Sequence, residues 1–210
     1  MDDPSDVQLS KKLSWLLRHG AVKKGISLDE EGYAKITNLL ALNEFKKFTL
    51  EQILYVVEHN DKKRFAVKEC DGTFYIRANQ GHSNNVVNNS GIVIDKLLKR
   101  LDKPLPTVIH GTTKDAYPLI IRSGGLKKMG RSHVHFAISE DYKPDIQTSG
   151  IRYNAEVLIY IDMKKAMDDG LTFYISDNDV VLCAGTGNEG LVSSKYFSKV
   201  VDKLTKERLL

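Results

Sequence analysis

The sequence predicts an α+β protein of two lobes, helices leading and strands following, on three observations. The first is helical periodicity near the amino terminus, where Leu9, Leu13, Leu16 and Leu17 fall on one stripe of a helix. The second is a switch to alternation, with Phe65 and Val67, then Phe74 and Ile76, separated by polar neighbours. The third is the pair Pro104 and Pro106, standing just before a half rich in short apolar runs. With 210 residues, 41% of them hydrophobic, the chain can bury one or two cores.

Taken in order, the leucine stripe predicts a helix over residues 8–20, with Gly20 as its stop. Ile36, Leu39 and Leu40 predict a shorter second helix. Thr49-Leu50-Glu51-Gln52 reads as a capping box that opens a third through Ile53, Val56 and Val57. Asp71-Gly72 is a tight-turn signal between the two alternating runs, so a hairpin follows. Three helices and a hairpin is the order of a winged helix-turn-helix, a module that often binds nucleic acid and also serves as a protein contact. Residues 79–89 are polar and without period, and read as a loop. Residues 92–101 read as a short helix, and the boundary is placed at 103/104, giving lobes of 1–103 and 104–210. In the second lobe, strands are expected at 107–110, 133–137, 157–161, 173–175, 180–182 and 196–197, with a helix through Tyr117 and Ile121 ending at Gly124-Gly125.

Composition excludes several classes. No apolar run approaches the ~18 to 20 residues of a membrane span. The acidic start, through Asp2, Asp3 and Asp6, does not have the pattern of a secretory or mitochondrial leader. Cys70 and Cys183 make neither a disulfide scaffold nor a metal-ligand spacing, which suits a reducing compartment. Net charge is +4 with a pI near 8.9. The first 103 residues carry 17 basic against 14 acidic side chains and the remainder 14 against 13, so charge permits nucleic acid without demanding it.

Five of the six histidines lie in compact polar clusters: Arg18-His19-Gly20, Arg77 through His82, His110-Gly111-Thr112 and Arg131 through His135. Arg18 and His19 close a helix, where cations complement the dipole; equally, a guanidinium grips phosphate and an imidazole moves protons near neutral pH. Arg77 alternates with the apolar Ile76, so it points away from the core, either solvated or touching a nucleic-acid backbone. His133 and His135 share a strand face, yet zinc needs further ligands and no Cys or acidic residue has the spacing. Gly124-Gly125-Leu126 is either a helix end or a close backbone approach to a ligand. Neither a Rossmann nor a Walker glycine pattern is present.

These motifs, taken together, resemble the NAD-dependent RNA 2′-phosphotransferases, across residues 9–197. They run in order: Leu9-Ser10-Lys11-Lys12-Leu13-Ser14 and Leu17-Arg18-His19-Gly20; Asn60-Asp61-Lys62-Lys63-Arg64-Phe65; Ile76-Arg77-Ala78-Asn79-Gln80-Gly81-His82-Ser83; Ile109-His110-Gly111-Thr112; Gly125-Leu126 with Met129, Arg131 and His133-Val134-His135; and Gly150-Ile151-Arg152. Tyr33 and Asn84-Asn85 depart from the pattern, the first standing where Trp is frequent, the second where relatives are more apolar.

The resemblance implies a winged-helix RNA lobe followed by an ADP-ribosyltransferase-like lobe with a mixed β-sheet that binds NAD. It implies a catalytic tetrad at Arg18, His19, Arg77 and Arg131. NAD contacts are implied at His110, Gly111, Thr112, Gly125, Leu126, His133 and Arg152, and RNA contacts at Lys12, Lys63, Arg64, Gln80 and His82. The implied partner is an RNA with an internal 2′-phosphate, such as a ligated tRNA, and no metal is required. A monomer in the cytoplasm or nucleus, with no membrane partner, is expected. Implied products are 2′-hydroxyl RNA, ADP-ribose 1″,2″-cyclic phosphate and nicotinamide. Three readings compete: ADP-ribosylation of terminal RNA or DNA phosphates, a non-catalytic winged-helix binder, and a metal hydrolase built on the histidine pair.

Overall fold

The computed structural model describes residues 3–139 and 150–210, so Met1 and Asp2 of the acidic terminus lie outside the described residues. The class is α+β, and the chain separates into two compact units, Met1–Leu98 and Lys99–Leu210.

The first unit opens with α1, Pro4–Trp15, capped by Asp3, whose carboxylate accepts the Ser5 N–H at 2.6 Å, with Pro4 at the first helical position. Leu9, Leu13, Leu16 and Leu17 are all buried, as their stripe predicts. The helix does not stop at Gly20. It widens into a π-turn over Leu16–Gly20, stays helical through Ala21 and a 3₁₀ turn at Val22–Lys24, and ends at Gly25 with φ 67°. Gly20 has a different reason to be glycine: a Cβ there would fall 2.5 Å from the Trp15 ring.

A two-residue strand β1, Ala34–Lys35, leads into α2, Ile36–Leu40. Helix α3, Leu50–Glu58, carries the expected capping box, with Gln52 N–H donating to Thr49 Oγ1 at 3.3 Å and Thr49 N–H to Gln52 Oε1 at 2.9 Å. The hairpin forms from β2, Phe65–Cys70, and β3, Thr73–Ala78, with Asp71 and Gly72 at φ 50° and 71° in the turn. The sheet order is β1-β3-β2, all antiparallel. Its register aligns Ala34, Ile76 and Val67 on one face, and Lys35, Tyr75 and Lys68 on the other.

Residues 79–89 are not all loop. Helix α4, Asn84–Asn89, is opened by the Ser83 hydroxyl accepting the Val86 N–H and is anchored by Val86, which is fully buried. Four asparagines hide that helix from periodicity, because propensity is poor and one buried residue sets no period. The helix expected over 92–101 is confined to α5, Ile94–Leu97, because beyond Leu98 the chain forms β4, Lys99–Arg100, and pairs with Ile175 and Tyr174.

The second unit continues with β5 (Ile109–Thr112), α6 (Ala116–Arg122), β6 (Gly125–Lys127) and β7 (Val134–Phe136). It closes with β8 (Val157–Ile161), α7 (Met163–Asp168), β9 (Phe173–Ile175), β10 (Val181–Cys183), β11 (Leu191–Ser193) and β12 (Phe197–Asp202). Sheets run β12-β8-β5, β4-β9-β10-β7 and β11-β6. Every ladder among the described residues is antiparallel, where the sequence reading expected a mixed sheet. The five residues between β9 and β10 allow a hairpin but no crossover. Ile109 and Ala137 exchange backbone hydrogen bonds of 2.8 and 2.9 Å, joining the two larger sheets at one corner. Phe136, Ile159, Phe173 and Val181 fill the core, while Ile109, Leu158 and Val201 form a smaller cluster.

Candidate active site

In the first unit three backbone segments interlock around the expected catalytic side chains. The π-turn presents Arg18, half-buried, and His19, exposed. Such turns widen the helix by one residue and are frequent at functional sites. The segment after β3 runs back against it. Ser83 N–H donates to the Arg18 carbonyl at 2.9 Å, and the Arg18 side chain lies beside Gly81, whose φ of 87° only glycine adopts easily. Arg77, on β3 itself, is 8% exposed and so is not the solvated residue that alternation allows. Its Nη1 donates to the Glu31 carbonyl at 3.2 Å, and its Cζ lies 4.8 Å from the Tyr33 ring centroid. The loop carrying Glu31 and Tyr33 also holds Gly32, where an added Cβ would come into contact with Leu97, Ile92 and the buried His82. Arg18 on the π-turn, Arg77 on β3 and His82 after it are therefore neighbours of one another's segments, and the sequence reading missed the part played by the 29–33 loop. Asp29, placed to cap a turn just before a strand, was the available signal.

In the second unit β5 presents His110. Its Nδ1 lies 3.0 Å from the His135 carbonyl, which can only accept, so Nδ1 carries the proton. Burial lowers the His110 pKa, the His135 hydrogen bond opposes that, and the Arg152 charge lowers it further. The ring is thus neutral, with Nε2 as an acceptor. Arg131 is likewise depressed by burial first and then by Arg152, so His110 and Arg131 both feel the same guanidinium. Arg152 follows Ile151, whose side chain occupies the space a Cβ on Gly111 would need, at 2.6 Å. Such a concentration of basic groups suits an anion.

The sequence model of the RNA 2′-phosphotransferase, Tpt1 / KptA family matches residues 4–185. Relatives agree. A Schizosaccharomyces pombe protein named "Putative tRNA 2'-phosphotransferase" is 43% identical over 92% of this chain and 51% of its own length. The tRNA 2′-phosphotransferase 1 of Danio rerio is 37% identical, covering 94% of this chain and 86% of that one; the Homo sapiens protein of the same name is 38% identical, covering 93% and 76%. This chain belongs to the Tpt1 / KptA family. It spans about half the length of the S. pombe relative.

The other positions expected to contact NAD are distributed along the second unit. Thr112 is buried, and its carbonyl accepts the Glu156 N–H at 2.8 Å. Gly125 has a packing reason of its own, since a Cβ would fall 2.2 Å from the Val192 carbonyl oxygen on β11. Leu126 is buried in the core. His133 is buried, bonded through Nδ1 to the Ser132 hydroxyl at 2.8 Å and edge-on to Tyr174; burial, and then Lys128, push its pKa down to about 4. The strand begins only at Val134, after His133, and no group of three His, Cys, Asp or Glu converges as a metal set among the described residues.

Of the expected RNA contacts, Lys12 Nζ donates to the Glu44 carbonyl at 3.3 Å. Lys63 is exposed, with its carbonyl held by Asn79 Nδ2 at 2.8 Å. Arg64 Nη1 donates to Asn60 Oδ1 at 3.2 Å, and burial lowers its pKa against the raising effect of Asp61. Gln80 is half-buried with Oε1 accepting no hydrogen bond among the described residues, while His82 is only 2% exposed. No described helix is long and apolar enough to cross a membrane.

Proposed function

We propose that this chain removes an internal 2′-phosphate from RNA by transferring it to NAD, with the first unit as a winged-helix RNA lobe and the second as an ADP-ribosyltransferase-like NAD lobe. The observation that carries the reading is the family match over residues 4–185 with Arg18, His19, Arg77 and Arg131 all present. NAD supplies an electrophilic anomeric carbon and nicotinamide as leaving group. The residues of the second unit fit it: neutral His110 offers Nε2 to a ribose hydroxyl, and Arg152 and Arg131 provide positive potential for a pyrophosphate.

In the first step an oxygen of the RNA 2′-phosphate bonds to the anomeric carbon as the nicotinamide bond breaks. That oxygen is already anionic, so positioning matters more than a base. In the second step the O2″ hydroxyl attacks phosphorus and loses its proton, while the RNA O2′ leaves and takes one up. His19, exposed on the π-turn, is the donor assigned to O2′. Arg18 and Arg77 stabilise charge on the phosphoryl oxygens, as metal ions do elsewhere. Arg131 enters this assignment through its motif.

A single-turnover reaction without metal, using NAD and a short RNA bearing an internal 2′-phosphate, tests the reading. The expected products are 2′-hydroxyl RNA, nicotinamide and ADP-ribose cyclic phosphate. Stable ADP-ribose left on the RNA would favour a first-step transferase, and absence of nicotinamide release would leave a binding module.

A further inference from the structure

The loop before β1 is unusually well fixed for five residues. Asp29 Oδ1 accepts the N–H groups of Glu31 at 3.0 Å and Tyr33 at 2.8 Å. Asp29 N–H donates to the Tyr33 carbonyl and Gly32 N–H to the Asp29 carbonyl, each at 2.9 Å. This closed turn delivers Tyr33 one residue before the Ala34–Ile76 pair, which sets it beside Arg77 on the face of the sheet away from Ile76.

Two cations meet the Tyr33 ring. Lys68 Nζ lies 4.0 Å from its centroid and the Arg77 Cζ 4.8 Å. They differ in what else holds them. Lys68 is neutralised by Glu31 at 2.9 Å and Asp29 at 3.1 Å, and these bonds raise its pKa. Arg77 Nη1 donates to the Glu31 carbonyl, a neutral acceptor that fixes its orientation. An arginine is long and rotamer-rich, so a ring face and a carbonyl acceptor together restrict it far more than either alone.

We propose that Tyr33 is a positioning residue for Arg77: its ring face, locked by the Asp29 turn and by Lys68, fixes the guanidinium plane before the RNA phosphate arrives. This rests on the reading of Arg77 as a phosphate-stabilising group. Preorganised donors are effective because they need no rearrangement as charge develops.

The test is a double-mutant cycle in single turnover at saturating NAD and 2′-phosphorylated RNA, with melting curves alongside. Tyr33→Leu lowers the rate constant of phosphate transfer about tenfold with KM for NAD unchanged, and Tyr33→Phe, which keeps the ring face, restores it to within about twofold of wild type. In an Arg77→Ala background Tyr33→Leu adds nothing. If Tyr33→Leu does not fold, Tyr33→Gln carries the same expectation. A wild-type rate for the ring-less variant, or a loss that adds fully to that of Arg77→Ala, overturns the positioning role while leaving Arg77 catalytic. A wild-type rate for Arg77→Ala itself overturns the reading beneath it as well.

Discussion

The backbone N–H of Ser83 donates to the carbonyl of Arg18 at 2.9 Å, tying the π-turn to the segment that leaves β3. Between them Gly81 holds φ at 87° against the Arg18 side chain. Gly81→Ala is expected to cost about 1–2 kcal/mol of stability, the penalty for a side chain in the left-handed region. It should also slow phosphate transfer, because relief of that backbone strain moves the segment bonded to the Arg18 carbonyl. Urea unfolding and a single-turnover rate measured on one preparation check both effects.

Arg18→Ala, His19→Ala, Arg77→Ala and Arg131→Ala should each lose about 10²- to 10³-fold in rate while remaining folded. A variant that keeps wild-type turnover removes its residue from the mechanism. His110→Ala should instead raise KM for NAD, since it deletes the acceptor that the His135 carbonyl orients.

His133 predicts a pH limb in stability. Burial first, and the Lys128 charge second, hold its pKa at about 4, below the ordinary 6.5. As pH falls, the unfolded chain binds the proton first. Stability is therefore complete above pH 6.5 and declines down to about pH 4. The loss from this residue is about 3 kcal/mol. His110 is shifted in the same direction and adds to the same limb. His133→Gln should flatten the limb in part, measured by denaturant unfolding at a series of pH values.

Asp202 predicts an acid limb of opposite origin. Its carboxylate accepts from Lys114 Nζ at 2.7 Å and from the N–H groups of Thr205 and Leu204, each at 2.9 Å. The Lys114 bond first, then these N–H groups, hold its pKa far below the usual carboxylate value. A depressed acid stabilises the fold above its unfolded pKa and loses that stabilisation as pH falls. Asp202→Asn should lower Tm at pH 7 and leave a shallower acid slope; thermal melts from pH 7 to pH 2 would show it.

By itself the sequence determined the α+β class, the buried leucine stripe, the Thr49–Gln52 box and the Asp71-Gly72 hairpin, because each depends on neighbours within a few positions. It also carried the family, through residues strung along the whole chain. It did not determine where the first helix ends, since Gly20 answers to the Trp15 ring and not to a cap. Nor did it reveal α4, which one buried valine anchors. Tertiary structure decided that Arg77 is buried, that Tyr33 and the Glu31 carbonyl orient it, and that His135 fixes the His110 proton. Those partners are 44, 46 and 25 positions apart, and only sheet pairing and loop closure bring them within hydrogen-bond or ring contact, a length scale that local periodicity does not encode.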